Sequence, residues 1–261
     1  MSLQSTAVLS IDSLLNQNPI NTHSRTTETY WPALRDTLLE DPSRYENLHL
    51  ECGICLDGMT VFPHEHTYDP EMSHFSHRAR VFPCGHMFGS KCAHFMVEEA
   101  LRNDNPICCP ICRVDFSWHR DCKHVHTGMP MPTSIKAIQN FPRTLSEGAV
   151  IADKCGDCQV TEILIGINYL APTLLFPFEI QDNEVLCVTA STFSGNWGIA
   201  PNRPGAMNSD VVEEIRLGEA MQRVCDEVKA RLSDNATKAW LSLDLTGFEL
   251  SVQLRRIGLD A

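Results

Sequence analysis

The sequence predicts an α+β protein in two parts. A small module organised by cysteine and histidine, with a Cys/His extension, precedes a small α+β C-terminal region with one long amphipathic helix. Two observations lead there. Residues 52–158 carry closely spaced Cys and His pairs among many turn residues and little aliphatic core. After Cys158 the character changes to short apolar runs and one apolar stripe with spacings of three and four.

Composition narrows the class. The chain has 261 residues, 43% hydrophobic and 21% charged, as in a soluble globular protein. No uninterrupted apolar run is long enough for a membrane-spanning helix, so no membrane partner is expected. Met1 to Pro19 has no basic start followed by an apolar block, so no secretory signal is read there. A cytoplasmic or nuclear protein keeps its thiols reduced. The formal net charge is −12, from 21 basic and 33 acidic residues. Such a surface repels phosphate backbones, so no nucleic-acid partner is expected.

Taken in order, residues 1–30 are rich in Ser, Thr, Asn and Gln and read as a disordered tail, with Val8 to Leu15 able to pair transiently. Residues 31–50 form a short helical lead-in: Leu34, Leu38 and Leu48 are apolar, and Asp41-Pro42 interrupts the helix. The metal-organised module follows at 51–114 and its extension at 115–159. In the region 160–261, Val160 to Ile167 and Val185 to Thr189 look like strands and 194–206 like a loop. Ser209 to Leu232 reads as the long helix, with Val211, Ile215, Gly218, Met221, Cys225, Val228 and Leu232 on one stripe. Leu241, Leu243 and Leu245, then Phe248, Leu250, Val252 and Leu254, fit a hairpin closed at Thr246-Gly247; the alternative continues the helix through Trp240 and leaves one strand at 248–254.

In a reducing compartment, clustered Cys with interleaved His indicates metal before disulfides. Cys52-x2-Cys55 and Cys109-x2-Cys112 are knuckle pairs, whose tight turns aim both sulfurs at one tetrahedral ion. Between them lie Cys84-Gly85-His86 and Cys92, and Pro110 stands inside the last pair. This chemistry specifies zinc as the cofactor: two structural ions, and a third if the extension binds one.

The ordered set over residues 52 to about 113 resembles the RING zinc-finger family. That resemblance implies a cross-brace of two interleaved zinc sites. Cys84, His86, Cys109 and Cys112 form one; Cys52, Cys55 and Cys92 supply three-quarters of the other. The family's fifth ligand falls at position 89, where this chain has Gly89. His94, Cys108, His64, His66 and His74 are candidates to replace it, and His77 is the best placed. A hairpin of Arg80 to Phe82 with Met87 to Gly89, paired so that 80 faces 89, brings His77 beside Cys92 and over Gly89. The segment His77-x6-Cys84 through Cys92 is also similar to a RING subtype with glycine at this position and a histidine upstream.

Beyond the eighth ligand stand Cys122-x-His124 and Cys155-x2-Cys158, which together offer a third site of three thiolates and one imidazole. Three such sites use nine of the 12 cysteines and leave Cys108, Cys187 and Cys225, the last a small core residue on the long helix. The segment from Cys112 to Cys158 is similar to the extension after the RING in some filamentous-fungal proteins. His119 and His126 read as surface-loop histidines, and Glu213-Glu214 as a solvated helix face.

The resemblance implies an E3 ubiquitin-protein ligase. Its partners would be a ubiquitin-conjugating enzyme, ubiquitin and an unknown protein substrate, and it would act as a transferase with no catalytic residue and no covalent intermediate. The implied contact residues are Ile54, Pro110 and Arg113, with Met96 or Phe95 filling the groove near the place where active members often carry Trp. The alternative class is a non-catalytic zinc-organised interaction module or scaffold. No Gly-rich phosphate loop or nucleophile elbow points to another enzyme.

Overall fold

The computed structural model describes residues 26–65, 68–69, 74–75, 77–115, 118–174, 180–192, 195–199, 210–243, 245 and 248–257. Most of the expected tail, including Val8 to Leu15, lies outside them. Its last residues are ordered: Thr26 is buried, its N–H donates to the Asn47 carbonyl at 3.1 Å, and its carbonyl accepts from His49 N–H at 3.0 Å.

The lead-in helix α1 (Trp31–Glu40) buries Trp31, Leu34 and Leu38, one face at spacings of three and four. Pro32 suits its first turn, and Asp41 leaves the helical region because Pro42 follows. The module proper is built from very short strands. β1 (Leu50–Glu51) and β2 (Gly58–Met59) pair across the first knuckle, and β3 (Tyr68–Asp69) pairs with β4 (His74–Phe75). β5 (Ala79–Val81) is central to a three-stranded sheet, flanked by β6 (Met87–Gly89) and by β7 (Met129–Pro130) from the extension. α2 (Ser90–Arg102) follows β6 and buries Ala93 and Val97. α3 (Ile135–Gln139) is capped by Ser134, whose hydroxyl accepts from Ala137 N–H.

The second part is a four-stranded antiparallel sheet with two helices. Its strands run β10 (Asp210–Ile215), β11 (Glu249–Arg256), β8 (Glu184–Thr192) and β9 (Gly195–Ile199). Alternate residues Leu186, Val188 and Ala190 of β8 and Val252 and Leu254 of β11 share one core with the helices. α4 (Gly156–Leu174) contributes Val160, Leu164 and Ile167; α5 (Glu219–Lys238) contributes Met221, Cys225 and Leu232.

Several expectations are corrected. Val160 to Ile167 is helix, not strand: an apolar run carries no decisive period, and packing a three-and-four stripe onto β8 overrides the β propensity of Val and Ile. The long helix starts at Glu219 rather than Ser209, because Gly218 is its extended N-cap. Val211, Ile215 and Glu213-Glu214 belong instead to β10, paired with β11 through a bulge between Val211 and Glu213. The expected loop 194–206 contains β9. Leu241 to Leu243 is no hairpin arm, since β11 pairs with β8 and β10; Thr246-Gly247 lies outside the described residues. The seven apolar residues nevertheless join one core.

The two parts meet through the segment that follows α5. Trp240, fully buried, belongs to the core of the first part, while Leu241 and Leu243 belong to that of the second. The Trp240 indole N–H donates to the Arg143 carbonyl at 2.7 Å, and its ring meets Phe141 edge-on at 5.5 Å. Its backbone pairs with Ile151: Trp240 N–H donates to Val150 and its carbonyl accepts from Ala152 N–H.

Candidate metal centres

Three groups of side chains converge, each with its four ligand atoms within 4.8 Å of one another. They are Cys52, Cys55, His77 and Cys92; Cys84, His86, Cys109 and Cys112; and Cys122, His124, Cys155 and Cys158. Each offers three thiols and one imidazole. A tetrahedral ion with Zn–S near 2.3 Å and Zn–N near 2.0 Å sets S···N at about 3.5 Å. His77 Nε2 stands 3.2 Å from Cys55 Sγ, and His86 Nδ1 3.6 Å from both Cys84 and Cys109. His124 Nδ1 stands 3.2 Å from Cys155 Sγ and 3.3 Å from Cys158 Sγ. This donor set and spacing suit zinc, and four protein ligands leave no open coordination position.

The first two groups interleave along the chain, because Cys84 and His86 of the second fall between His77 and Cys92 of the first. The β5–β6 hairpin explains this. Its turn, Pro83-Cys84-Gly85, is closed by hydrogen bonds between Phe82 and His86 (3.0 Å) and from Gly85 to Phe82 (2.8 Å), with Gly85 at φ +91°. The register differs by one from the expected pairing: Ala79 faces Gly89 and Arg80 faces Phe88, because a three-residue turn makes the paired numbers sum to 168. His77 still reaches Gly89. It precedes the strand, its carbonyl held by Thr60 N–H at 3.0 Å, and a Cβ built on Gly89 would lie 2.1 Å from its Cε1.

The other candidates for that position go elsewhere. His94 pairs with Glu98 one turn along α2 at 3.1 Å, His64 stacks on Phe62, and Cys108 bridges to Asp115. His66 and the side chain of His74 lie outside the described residues. Cys187 and Cys225 are buried apart from the three groups.

The thiols show why the clusters would favour a cation. Burial, then the neighbouring Cys55 and Cys52, push the Cys92 thiol up to about 12; burial and the crowding of Cys158 and Cys122 do the same to Cys155. Burial also opposes ionisation of Cys52, but hydrogen bonds from His77 and the N–H groups of Gly89, Cys55 and Ile54 outweigh it and bring it down to about 6. Three crowded thiols cannot all hold negative charge, whereas a divalent ion reverses the balance.

The third site sits at the start of α4. Cys158 lies in its first turn, and Cys155 immediately precedes it. Cys155 N–H points at Cys122 Sγ at 3.3 Å. His119 and His126 are corrected: both are fully buried and stack at 5.5 Å between this site and Trp240.

Ile54, Pro110 and Arg113 are exposed on the knuckles. The two knuckles are neighbours, since a Cβ on Gly53 would stand 3.3 Å from Ile111 Cδ1. Met96 is half-buried against the first core, whereas Phe95, next to it, is 60% exposed. Of the two groove candidates the sequence offered, Phe95 is thus the exposed one; Ile111 was missed as a surface residue, since nothing in its spacing marked it.

The arrangement is compatible with a zinc-organised protein with three candidate metal centres, and no described helix is long and apolar enough to cross a membrane. No family model, no curated protein and no solved structure matches the chain.

Proposed function

We propose that the interleaved pair of sites is a RING-type cross-brace and that the protein is an E3 ubiquitin-protein ligase. In this reading it docks a ubiquitin-charged conjugating enzyme and promotes transfer to a protein substrate. The observation that supports the reading is exposed apolar surface on two adjoining knuckles: Ile54, 42% exposed, on the one, and exposed Pro110 and Ile111 on the other, with Ile111 reaching Gly53. Single apolar residues at a surface are ordinary, but a group of them held rigid by metal ligands is what a partner needs. Arg113 stands exposed at the edge, directly after Cys112, at φ +60°. Its planar fork suits simultaneous donation to ubiquitin and to the carrier enzyme. Structural zinc does no chemistry here; the ligase lowers the barrier by holding the thioester conjugate in a reactive geometry.

Autoubiquitination with a panel of conjugating enzymes tests the reading. Wild type is expected to build chains with at least one carrier, and Ile54→Ala and Arg113→Ala to reduce this at least tenfold while keeping their zinc. Equal inertness of wild type and Ile54→Ala with every carrier overturns it. One observation favours a second reading, a non-catalytic interaction module: Met96 is half-buried and presents no ring at the place where active members often carry Trp.

A further inference from the structure

Three turns of this chain share one backbone. In the first, Cys52 N–H donates to the Asp57 carbonyl at 2.9 Å, Leu56 N–H donates back to Cys52 at 2.9 Å, and Leu56 has φ +65°. In the second, Cys109 N–H donates to Val114 at 2.8 Å, Arg113 N–H to Cys109 at 2.8 Å, and Arg113 has φ +60°. In the third, His119 N–H donates to His124 at 2.9 Å, Lys123 N–H to His119 at 2.8 Å, and Lys123 has φ +60°. A left-handed backbone is unusual for Leu, Arg and Lys, so its recurrence at the fifth residue of each turn is a specific match.

In the first two turns the first and fourth residues, Cys52 with Cys55 and Cys109 with Cys112, serve one metal site. In the third turn the fourth residue, Cys122, is again a ligand, but the first is His119, and its imidazole is committed elsewhere. Its Nδ1–H donates to the Ala152 carbonyl at 2.7 Å, and its Nε2 stands 3.5 Å from Ser242 Oγ. The imidazole that joins Cys122, Cys155 and Cys158 comes instead from the sixth residue, His124.

We infer that the His119–His124 turn is a third zinc knuckle whose first ligand position, residue 119, is a latent metal-ligand site: coordination has passed to His124, and His119 has become a positioning residue. The backbone that aims residues 52 and 109 at an ion aims residue 119 in the same way. Freed from the metal, His119 ties the Cys122 arm of the site to the Cys155 arm and to the segment after Trp240. Asp121 N–H, donating to the Asp153 carbonyl at 2.8 Å, and the Arg120–Asp153 pair at 2.8 Å join the same two arms. The arms are thereby held in register independently of the ion, which lowers the entropy cost of closing the site.

The test uses the full chain, with zinc counted after equilibration in a chelator buffer and cobalt(II) as the spectroscopic probe. His124→Ala is expected to hold two ions where wild type holds three. Adding His119→Cys to that variant is expected to restore the third ion, with one more thiolate–cobalt charge-transfer contribution than wild type. Adding Arg120→Cys instead places a thiol at the second residue of the same turn and is expected to leave two. The single substitution His119→Cys, with His124 present, gives the answer without removing a ligand. Its thiolate is expected to enter the site and release His124, so the count stays at three while the charge-transfer band grows. An unchanged band in that variant, or rescue by Arg120→Cys equal to that by His119→Cys, overturns the inference. These readouts are independent of ubiquitin transfer.

Discussion

Gly89 leaves the space that the His77 imidazole fills: a Cβ on residue 89 would stand 2.1 to 2.4 Å from Cε1, Nε2 and Cδ2 of that ring. The clashing atoms belong to the partly buried ring itself, so the ring must move away from the place where its Nε2 meets the thiols. Gly89→Ala is therefore expected to expel His77 from the first site. Metal analysis should fall from three ions to two, as it should for His77→Ala. Structural zinc contributes on the order of 10 kcal/mol to the folding of small zinc domains, so the local loss is expected to be several kcal/mol even after relaxation. Full metal content in Gly89→Ala would show that His77 is not the fourth ligand.

Phe95 and Met96 separate docking from stability. Phe95 is mostly exposed on α2, and Met96 packs against the first core. Under the ligase reading, Phe95→Ala is expected to weaken transfer by roughly tenfold, about 1.4 kcal/mol, with an unchanged unfolding midpoint. Met96→Ala is expected to cost about 1–2 kcal/mol of stability, less than a fully buried Met because one side is already open. Transfer rates and chemical unfolding of the two variants check the division.

Glu147 gives the fold an acid-sensitive clamp. Burial opposes its charge, but the N–H and hydroxyl of Thr144, each at 2.9 Å, and the Arg35 guanidinium, also at 2.9 Å, hold its carboxyl below the usual range. A depressed folded-state pKa adds stability above the unfolded-state value, and that stability is lost as pH falls through the lower folded-state value. Glu147→Gln is thus expected to cost about 0.5–2 kcal/mol at neutral pH, the usual worth of a cap. The gap between variant and wild type should close below about pH 4. A gap that is constant with pH would assign the effect to shape rather than charge.

The three Cys/His groups were legible because coordination favours short spacings: two residues between thiols, one between Cys and His. His77 was legible through what was missing at Gly89. The hairpin register was not, because a one-residue change in its turn moves every pair and the sequence fits either turn. α4 was misread because Val160 to Ile167 is apolar nearly throughout, and only its packing on β8 reveals the period. His119 was read as a surface residue although its spacing to Cys122 repeats that of the knuckle pairs; spacing alone does not show that a side chain has turned inward. β10 was misread because Val211 and Ile215 happen to stand four apart.

Trp240 joins the two cores, which leads to a prediction about cooperativity. Its indole fills a fully buried place against Phe141 and His126, and it gives its N–H to the Arg143 carbonyl. Its backbone holds Val150 and Ala152, two and four residues after Gly148 and just before the Cys155 arm of the third site. Trp240→Ala removes the ring, leaves a cavity, and takes the indole donor from the Arg143 carbonyl, a loss of about 3–5 kcal/mol. Trp240→Phe keeps most of the apolar volume and loses mainly the hydrogen bond, so about 1–2 kcal/mol is expected. Because Leu241 and Leu243 stay with the sheet core, Trp240→Ala should also uncouple the parts. Wild type is expected to unfold in one transition when zinc is retained, and Trp240→Ala in two, the second following the sheet. Fluorescence of the remaining tryptophans and far-ultraviolet circular dichroism then report different midpoints. Coincident midpoints in the variant would show that the two cores are joined by other contacts, and that Trp240 merely fills space.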